Sequence, residues 1–569
     1  MSNRIFAYGL VWLVVLALVA PNFVVLRSAN GLIDAHNFEI ISLALCLWGF
    51  CFALSPKLWV GVSFASISFL WWPIEIYVRL QYSQPITSTF VGMAVNADKR
   101  EFSEFINLTW LIFGLPAVVF FLFALGFSIY CRKIRLEWRH RSRIWILVVV
   151  PTLIAVLMLL QYPWLSLSST VSEDPFGKGD DQYSRLKLVY PLDLPISVAT
   201  MYVDNLSLQK LRAKTSDFKF NGQLASSHPD TVILVVGESS RAERWSLLGY
   251  ARDTTPRLRQ RSGIIAFSNV VSASTATRYA VPGLISRRPI MAADGKVAER
   301  VEPSILAAMK QVGFKTYWLS NQGGGGFFEN PIAFYADDAS TVSYFNPSSY
   351  DARGSFDEVL LDPLRAALDH SGRKFIVLHT MGSHFDFSHR YPLAFDIFKP
   401  SLTTQSASYN AKINAALAVQ SNNSYDNSIS YTDYILSMII DITEEKQDSA
   451  IVIYISDHGQ DVFENQCKSA AIVRRSKDSY HVPALVWTSQ KASAQLSARI
   501  AALKLVEDLP LNSTALPQTL LSLVGVTTPA DTRTQSWFDG SAKSRKVFSQ
   551  GRWTEFDSTA AKDPCEMRP

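Results

Sequence analysis

Apolar residues along this chain of 569 fall into two regimes. Up to residue 165 they gather into long, nearly uncharged runs, and after residue 225 into short ones. The long runs, Ile5 to Leu26, Phe38 to Leu54, Leu58 to Val78, Trp110 to Cys131 and Ile144 to Leu165, predict five membrane-spanning helices, the second being the shortest. A cleavable signal peptide fits the first run poorly, because its apolar stretch is too long and four more follow. The short runs, "TVILVV", "FKTYWLS", "KFIVLHT", "AIVIYIS" and "ALVWT", alternate with helical patterns such as "SILAAMKQVG", "LLDPLRAALDH" and "SISYTDYILSMIIDITEE". Val- and Ile-rich strands with helices between them predict an α/β domain whose mainly parallel sheet is covered on both faces.

Three regions follow: a five-helix transmembrane domain over 1–165, a connector over 166–224 whose stretch Tyr190 to Lys214 has two prolines and then an amphipathic pattern that suits a membrane surface, and a catalytic domain over 225–569. The polar segment Pro400 to Ser424 reads as an insertion. Charge sets the orientation. The loop Arg132 to Arg143 carries six Lys or Arg residues, which places it, and the N-terminus, in the cytoplasm and everything beyond Leu165 outside; in a bacterium that is the periplasm. A net charge of +5 with no dense basic patch in the exported part excludes a nucleic-acid binder as the leading reading. Of five cysteines, Cys467 and Cys565 alone lie in the exported part, where an oxidising compartment allows them to pair.

Ionisable residues follow directly on the short runs: Glu238 after "VILVVG", Asn321 after "YWLS", His384 after "FIVLHTMGS", and Asp457 and His458 after "IVIYIS". The carboxyl ends of parallel strands open onto one crevice, so these side chains are expected to converge there. Carboxylates and imidazoles meeting in a cleft need a positive charge, and mixed Asp, Glu and His ligation suits Zn²⁺. In "SNVVSASTATRYAVPGL", Thr275 is the candidate nucleophile, placed at the N-terminus of a short helix where backbone N–H groups favour a phosphate. Glu75 and Arg79, one turn apart near the outer end of the third span, predict an interfacial ion pair.

In order and spacing, "VVGESSRAERWSLLGYARDTTPRL", "SASTATRYAVP", "LHTMGSH", "NSYDNSISYTDYIL", "YISDHGQ" and "SYHVPALVW" resemble the membrane-bound phosphoethanolamine transferases of the alkaline phosphatase and sulfatase superfamily, which include the lipid A modifying enzymes that confer polymyxin resistance. The resemblance implies a bacterial inner-membrane enzyme with a periplasmic catalytic domain, working as a monomer. It implies zinc, at one tight site and a second filled with substrate, held by Glu238, Thr275, Asp457 and His458. Thr275 doubles as the nucleophile, His384 and His481 hold the phosphoryl group or the second zinc, and Asn321 binds substrate. Phosphatidylethanolamine is then the donor, diacylglycerol the leaving group, and lipopolysaccharide, at lipid A or a core sugar, the acceptor.

The motifs depart from the family in places. "HFD" stands at His384 to Asp386 for the usual "HGP", "DHGQD" for "DHGES", no lysine follows in "NQGGGGFF", and the exported cysteines are few. A sulfatase proper is disfavoured, since no C/S-x-P-x-R setting surrounds Thr275. A phosphoglycerol or other headgroup transferase acting on a glycan is the nearest alternative, and a non-catalytic membrane scaffold a further one.

Overall fold

A seven-residue strand, Thr231–Gly237, buried along its whole length, runs through the middle of the larger sheet. The computed structural model describes residues 2–24, 35–82, 85–86, 91, 115–161, 189–212, 215, 217–289, 301–324, 330–346, 354–402, 415–464, 476–529, 535–549 and 552–558. The eight strands of this sheet are β1 (Thr231–Gly237), β2 (Ile264–Val271), β3 (Lys315–Ser320), β4 (Thr341–Tyr344), β5 (Lys374–His379), β6 (Ala450–Ser456), β7 (His481–Thr488) and β8 (Leu511–Asn512). Their spatial order is β4-β3-β5-β1-β6-β7-β2-β8. All run in one direction except β7, which lies antiparallel to both of its neighbours. The expectation of a mainly parallel sheet holds, with "ALVWT" as its exception.

The uninterrupted apolar runs follow from burial on both faces. Along β1, Val232, Leu234 and Val236 enter one core, while Ile233 and Val235 enter the other. Beside them Ile451, Ile453 and Ile455 of β6 join the first core, and Val452 and Tyr454 the second. The 29-residue helix Ala418–Lys446 covers the second core with Ile429, Ile435, Leu436, Ile439 and Ile440. The first core is covered by the helices Thr277–Ile285 and Leu516–Val524.

The chain divides into two compact units, residues 1–172 with 178–202, and residues 173–177 with 203–569. The first is helical: α1 (Ser2–Val24), α2 (Ala35–Ala53), α3 (Leu58–Ser68), α4 (Trp72–Tyr82), α5 (Leu115–Lys133) and α6 (Ser142–Gln161). Small residues let α3 and α5 pack closely, and Ser63 and Ser128 hydrogen-bond between them at 2.6 Å. Outward, Ile5, Phe6, Trp12, Leu122, Ile129 and Trp145 are exposed.

Five spans are not what the described residues contain. Two helices, Arg4–Phe23 and Leu115–Lys133, are long and apolar enough to cross a membrane, and the other apolar helices, Ile40–Ala53, Leu58–Ser68 and Ser142–Thr152, are shorter. The expected third span is broken in two. Pro73 lies in the first turn of α4, lacks an N–H for Phe69, and so cannot continue α3. Glu75 and Arg79 do pair, both buried, and Asp193 completes a triad with its Oδ2 at 2.9 Å from Arg79 Nη2. Cys467, Cys565 and residues 403–414 of the expected insertion lie outside the described residues.

Candidate metal and nucleophile site

β1 delivers Glu238 to the crevice and β6 delivers Asp457 and His458. One ligand atom from each lies within 4.8 Å of the others, and all three residues are fully buried. The turn that starts this arrangement is strained, since Ser239 has a φ of 57°, in the left-handed region. That costs on the order of 1–3 kcal/mol and is held by surrounding contacts. Ser239 N donates to Asp457 Oδ1 at 3.1 Å, and Ser239 Oγ to Glu238 Oε1 at 2.6 Å.

The outer atoms of the cluster are satisfied by the chain. Asp457 Oδ1 also accepts from His458 N at 2.7 Å, and His458 Nδ1–H donates to the Gly459 carbonyl at 2.7 Å. This fixes the tautomer, so that Nε2 presents its lone pair inward, 3.5 Å from Glu238 Oε1 and 3.4 Å from Asp457 Oδ2. Two carboxylates and an imidazole aimed at one point, deep in the protein, form a donor set that fits Zn²⁺.

The helix after β2 begins two residues later than the sequence predicts. Ser274 Oγ accepts from Ala276 N at 3.2 Å, and this local turn keeps 274–276 out of the helix, which runs Thr277–Ile285. Thr277, not Thr275, is therefore the first helical residue. Its hydroxyl donates to Glu238 Oε2 at 3.1 Å and lies 3.2 Å from His458 Nε2. Thr275 sits in the preceding bend, half-buried. A second threonine in "STAT" was the available signal, and the register of the helix start was what the sequence left open.

Asn321 and Gln322 are likewise exchanged. Asn321 Nδ2 donates to Ser355 O at 3.0 Å and Asp357 Oδ1 at 2.8 Å, while the buried Gln322 donates from Nε2 to Glu238 Oε2 at 3.3 Å and to Thr380 O at 2.7 Å. Asp357 in turn accepts from the N–H groups of Met381 and Gly382 at 2.8 and 2.9 Å, and burial outweighs these bonds to hold its carboxyl above the usual range. Asn321 thus supports the loop behind the site, and Gln322 reaches the cluster.

His384 follows in that loop. Ser383 N donates to Glu238 O at 2.9 Å, and Gly382, at φ 50°, packs so closely that a Cβ would come 2.6 Å from Glu238 O. His384 is half-buried with Nδ1 on Phe385 O at 2.6 Å, and Arg390 Nε holds its own carbonyl at 2.9 Å. His481 is engaged elsewhere: Nδ1 meets the Glu243 carboxylate and Nε2 the Ser268 carbonyl at 2.8 Å. Two strong acceptors occupy both of its ring nitrogens.

The stretch "SSRAERWSLLGYARDTTP" bolts this arrangement to the long helix Ala418–Lys446. Tyr425 OH donates to Ser239 O at 2.7 Å and accepts from Arg241 N at 2.9 Å. Asp426, fully buried, receives Arg244 at 2.9 Å, Arg252 at 2.7 Å and Tyr250 OH at 3.1 Å. Arg241 sits among Glu464 at 3.0 Å, Asp478 at 2.6 Å and Glu243 at 3.4 Å.

A parallel α/β sheet with acid, imidazole and hydroxyl gathered at its carboxyl edge defines a class, and residues 230–526 match the sulfatase family, to which the chain belongs. More particularly, it is similar to the Kdo(2)-lipid A phosphoethanolamine 7''-transferase of Escherichia coli (strain K12), at 30% identity over 55% of this chain and 54% of that protein. It is similar also to phosphoethanolamine transferase EptA of Salmonella typhimurium, at 32% identity over 54% of this chain and 55% of that protein. The chain thus spans about half the length of these curated relatives. Phosphoethanolamine transferase EptC of Escherichia coli matches over more, 82% of this chain and 80% of its own, at 25% identity. The fold is that of the C-terminal periplasmic domain of EcEptC from Escherichia coli, solved in complex with Zn, with a TM-score of 0.50 and 23% identity over 61% of this chain and 98% of that one.

Proposed function

We propose that the protein transfers phosphoethanolamine from phosphatidylethanolamine to lipopolysaccharide, at lipid A or a core sugar, through a covalent intermediate on Thr277. The observation that carries this reading is the Thr277 hydroxyl in contact with both Glu238 and His458 at the start of a helix. The names of the similar transferases support the headgroup and the lipid A acceptor. Glu238, Asp457 and His458, with Thr277, would hold zinc, which when bound supplies positive charge for the phosphoryl oxygens and a hydroxyl readily deprotonated.

Glu238 orients the Thr277 oxygen by accepting its hydrogen bond. That oxygen attacks phosphorus, the P–O bond to diacylglycerol breaks, and the diacylglycerol oxygen takes up a proton. An acceptor oxygen then attacks the phosphothreonine, and Thr277 recovers its proton. His384, in the loop whose Ser383 N–H bonds the Glu238 carbonyl, would give or take the proton of the leaving or entering oxygen. Gln322 braces Glu238, and the backbone N–H groups at the start of the Thr277 helix favour the anionic group. A location in the bacterial inner membrane with the catalytic domain in the periplasm is supported by the apolar helices α1 and α5 with their exposed apolar side chains, and by a neighbour described as a periplasmic domain.

The test is mass spectrometry of the full chain incubated with phosphatidylethanolamine. A phosphoethanolamine adduct on Thr277, absent from Thr277→Ala together with all but about a thousandth of turnover, is the expected result. An adduct on Thr275 sinks the assignment of nucleophile, and a phosphoglycerol adduct formed from added phosphatidylglycerol, with none from phosphatidylethanolamine, sinks that of headgroup.

A further inference from the structure

His481 opens β7 opposite Val271, the last residue of β2, and its neighbour Tyr480 accepts from Ser272 N at 2.8 Å. The β2 to β7 register breaks between Phe267 and Val270, so Ser268 and Asn269 form a bulge, and the Ser268 carbonyl it turns out is the one His481 Nε2 meets. The other ring nitrogen meets Glu243, five residues beyond Glu238 in the loop fixed by Tyr425 and Arg241. A carbonyl and a carboxylate can only accept. A neutral imidazole has one N–H and would leave one of these contacts lone pair against lone pair, whereas an imidazolium satisfies both.

We infer that His481 is a positioning residue, a doubly protonated imidazole that ties the β2 bulge leading to Thr277 to the loop that carries Glu238. This rests on the reading of Thr277 as nucleophile. The link sets the spacing between nucleophile and metal ligand from behind, without touching substrate.

The charges around the ring agree. Glu243 and Arg241 face it from the loop after β1, Lys477 and Asp478 from the turn before β7, Asp508 from the segment before β8, and Glu464 from beyond β6 through Arg241. Burial pulls the imidazole pKa down, but the bond to Glu243 and its charge outweigh that, and the value ends above the ordinary 6.5. The same bond holds the Glu243 carboxyl below its usual range against burial. A cavity of about 380 Å³ beside the ring admits water for proton exchange. The sign follows: the link is complete below the ordinary imidazole pKa and is lost as pH rises through the raised one. Turnover therefore falls on the alkaline side.

The experiment is ¹⁵N NMR of the imidazoles in the full chain in detergent, with release of labelled diacylglycerol from phosphatidylethanolamine as the kinetic readout. Both His481 nitrogens are expected to carry protons at neutral pH, and Glu243→Gln should lower the titration midpoint by about one pH unit or more. His481→Gln should lower kcat about tenfold or more through misplacement of Thr277, with KM and zinc content unchanged and the alkaline fall gone. A neutral His481 ring near pH 7, or wild-type kcat in folded His481→Gln, overturns the inference. If His481→Gln does not fold, Glu243→Gln carries the test, and an unmoved midpoint overturns it. Activity in Thr277→Ala would instead overturn the nucleophile, leaving the NMR result on His481 intact.

Discussion

Two charge-rich regions lie side by side at the carboxyl edge of the sheet, and they solve burial in opposite ways. In the collar, Asp426 meets Arg244 and Arg252, and Arg241 meets Glu243, Glu464 and Asp478, so each buried charge has its opposite within the chain. In the floor, Glu238 and Asp457 converge on His458 and Thr277. The collar is complete as folded and holds geometry. The floor instead gathers two carboxylates and an imidazole around one point, a donor set that suits a cation, and the contrast separates a scaffold from a site.

Stability measurements can break or sharpen this contrast. Asp426→Ala should cost the most, about 3–5 kcal/mol by chemical denaturation, because it strips the buried Arg244 of its fully buried carboxylate and leaves it only the half-buried Glu464; a loss below 1 kcal/mol would mean the collar is not a scaffold. Zinc added to metal-free protein should stabilise it by about 2.7 kcal/mol at a hundred times its Kd, and the Asp457→Asn variant should gain far less. In the metal-free state near pH 8, where imidazole is ordinarily neutral, Asp457→Asn should itself raise stability by about 1 kcal/mol through relief of like charge, the reverse in sign of the collar change. Smallest is Arg259→Ala, which removes an exposed pair with Asp253 and should stay within about 0.5 kcal/mol.

The contrast also marks what the sequence could and could not reveal. Glu238, Asp457 and His458 were legible because each directly ends a run of buried strand, and a strand fixes where its end points. The central strands β1, β5 and β6 were legible for the same reason, being apolar without interruption. β2 was not read as a strand, since its burial alternates and a polar bulge at Ser268 and Asn269 interrupts the pattern. Because β2 carries the nucleophile segment, the position of the helix start was open, and a two-residue difference separated Thr275 from Thr277. The exchange of Asn321 for Gln322 has a similar origin: just past a strand end, successive side chains point to opposite sides, and only tertiary contacts decide which enters the crevice. His481 opens a strand that runs against its neighbours, so its side chain starts where theirs finish, and the motif alone could not tell a ligand from a brace. The broken third span depended on one proline.

Ser239 and Asp457 bond across 218 residues, and Thr277 and His458 across 181. As the polypeptide emerges from its N-terminus, Glu238 and Thr277 are made long before their partners, and β1 must wait for β6 to line up alongside it. Until then Glu238 is an ordinary solvated carboxylate with weak hold on any ion. A chain cut short before Ser479 lacks both the strand that buttresses β2 and the carbonyl that anchors Gly459 at 2.7 Å, so competence for chemistry arrives only once β7 has been made.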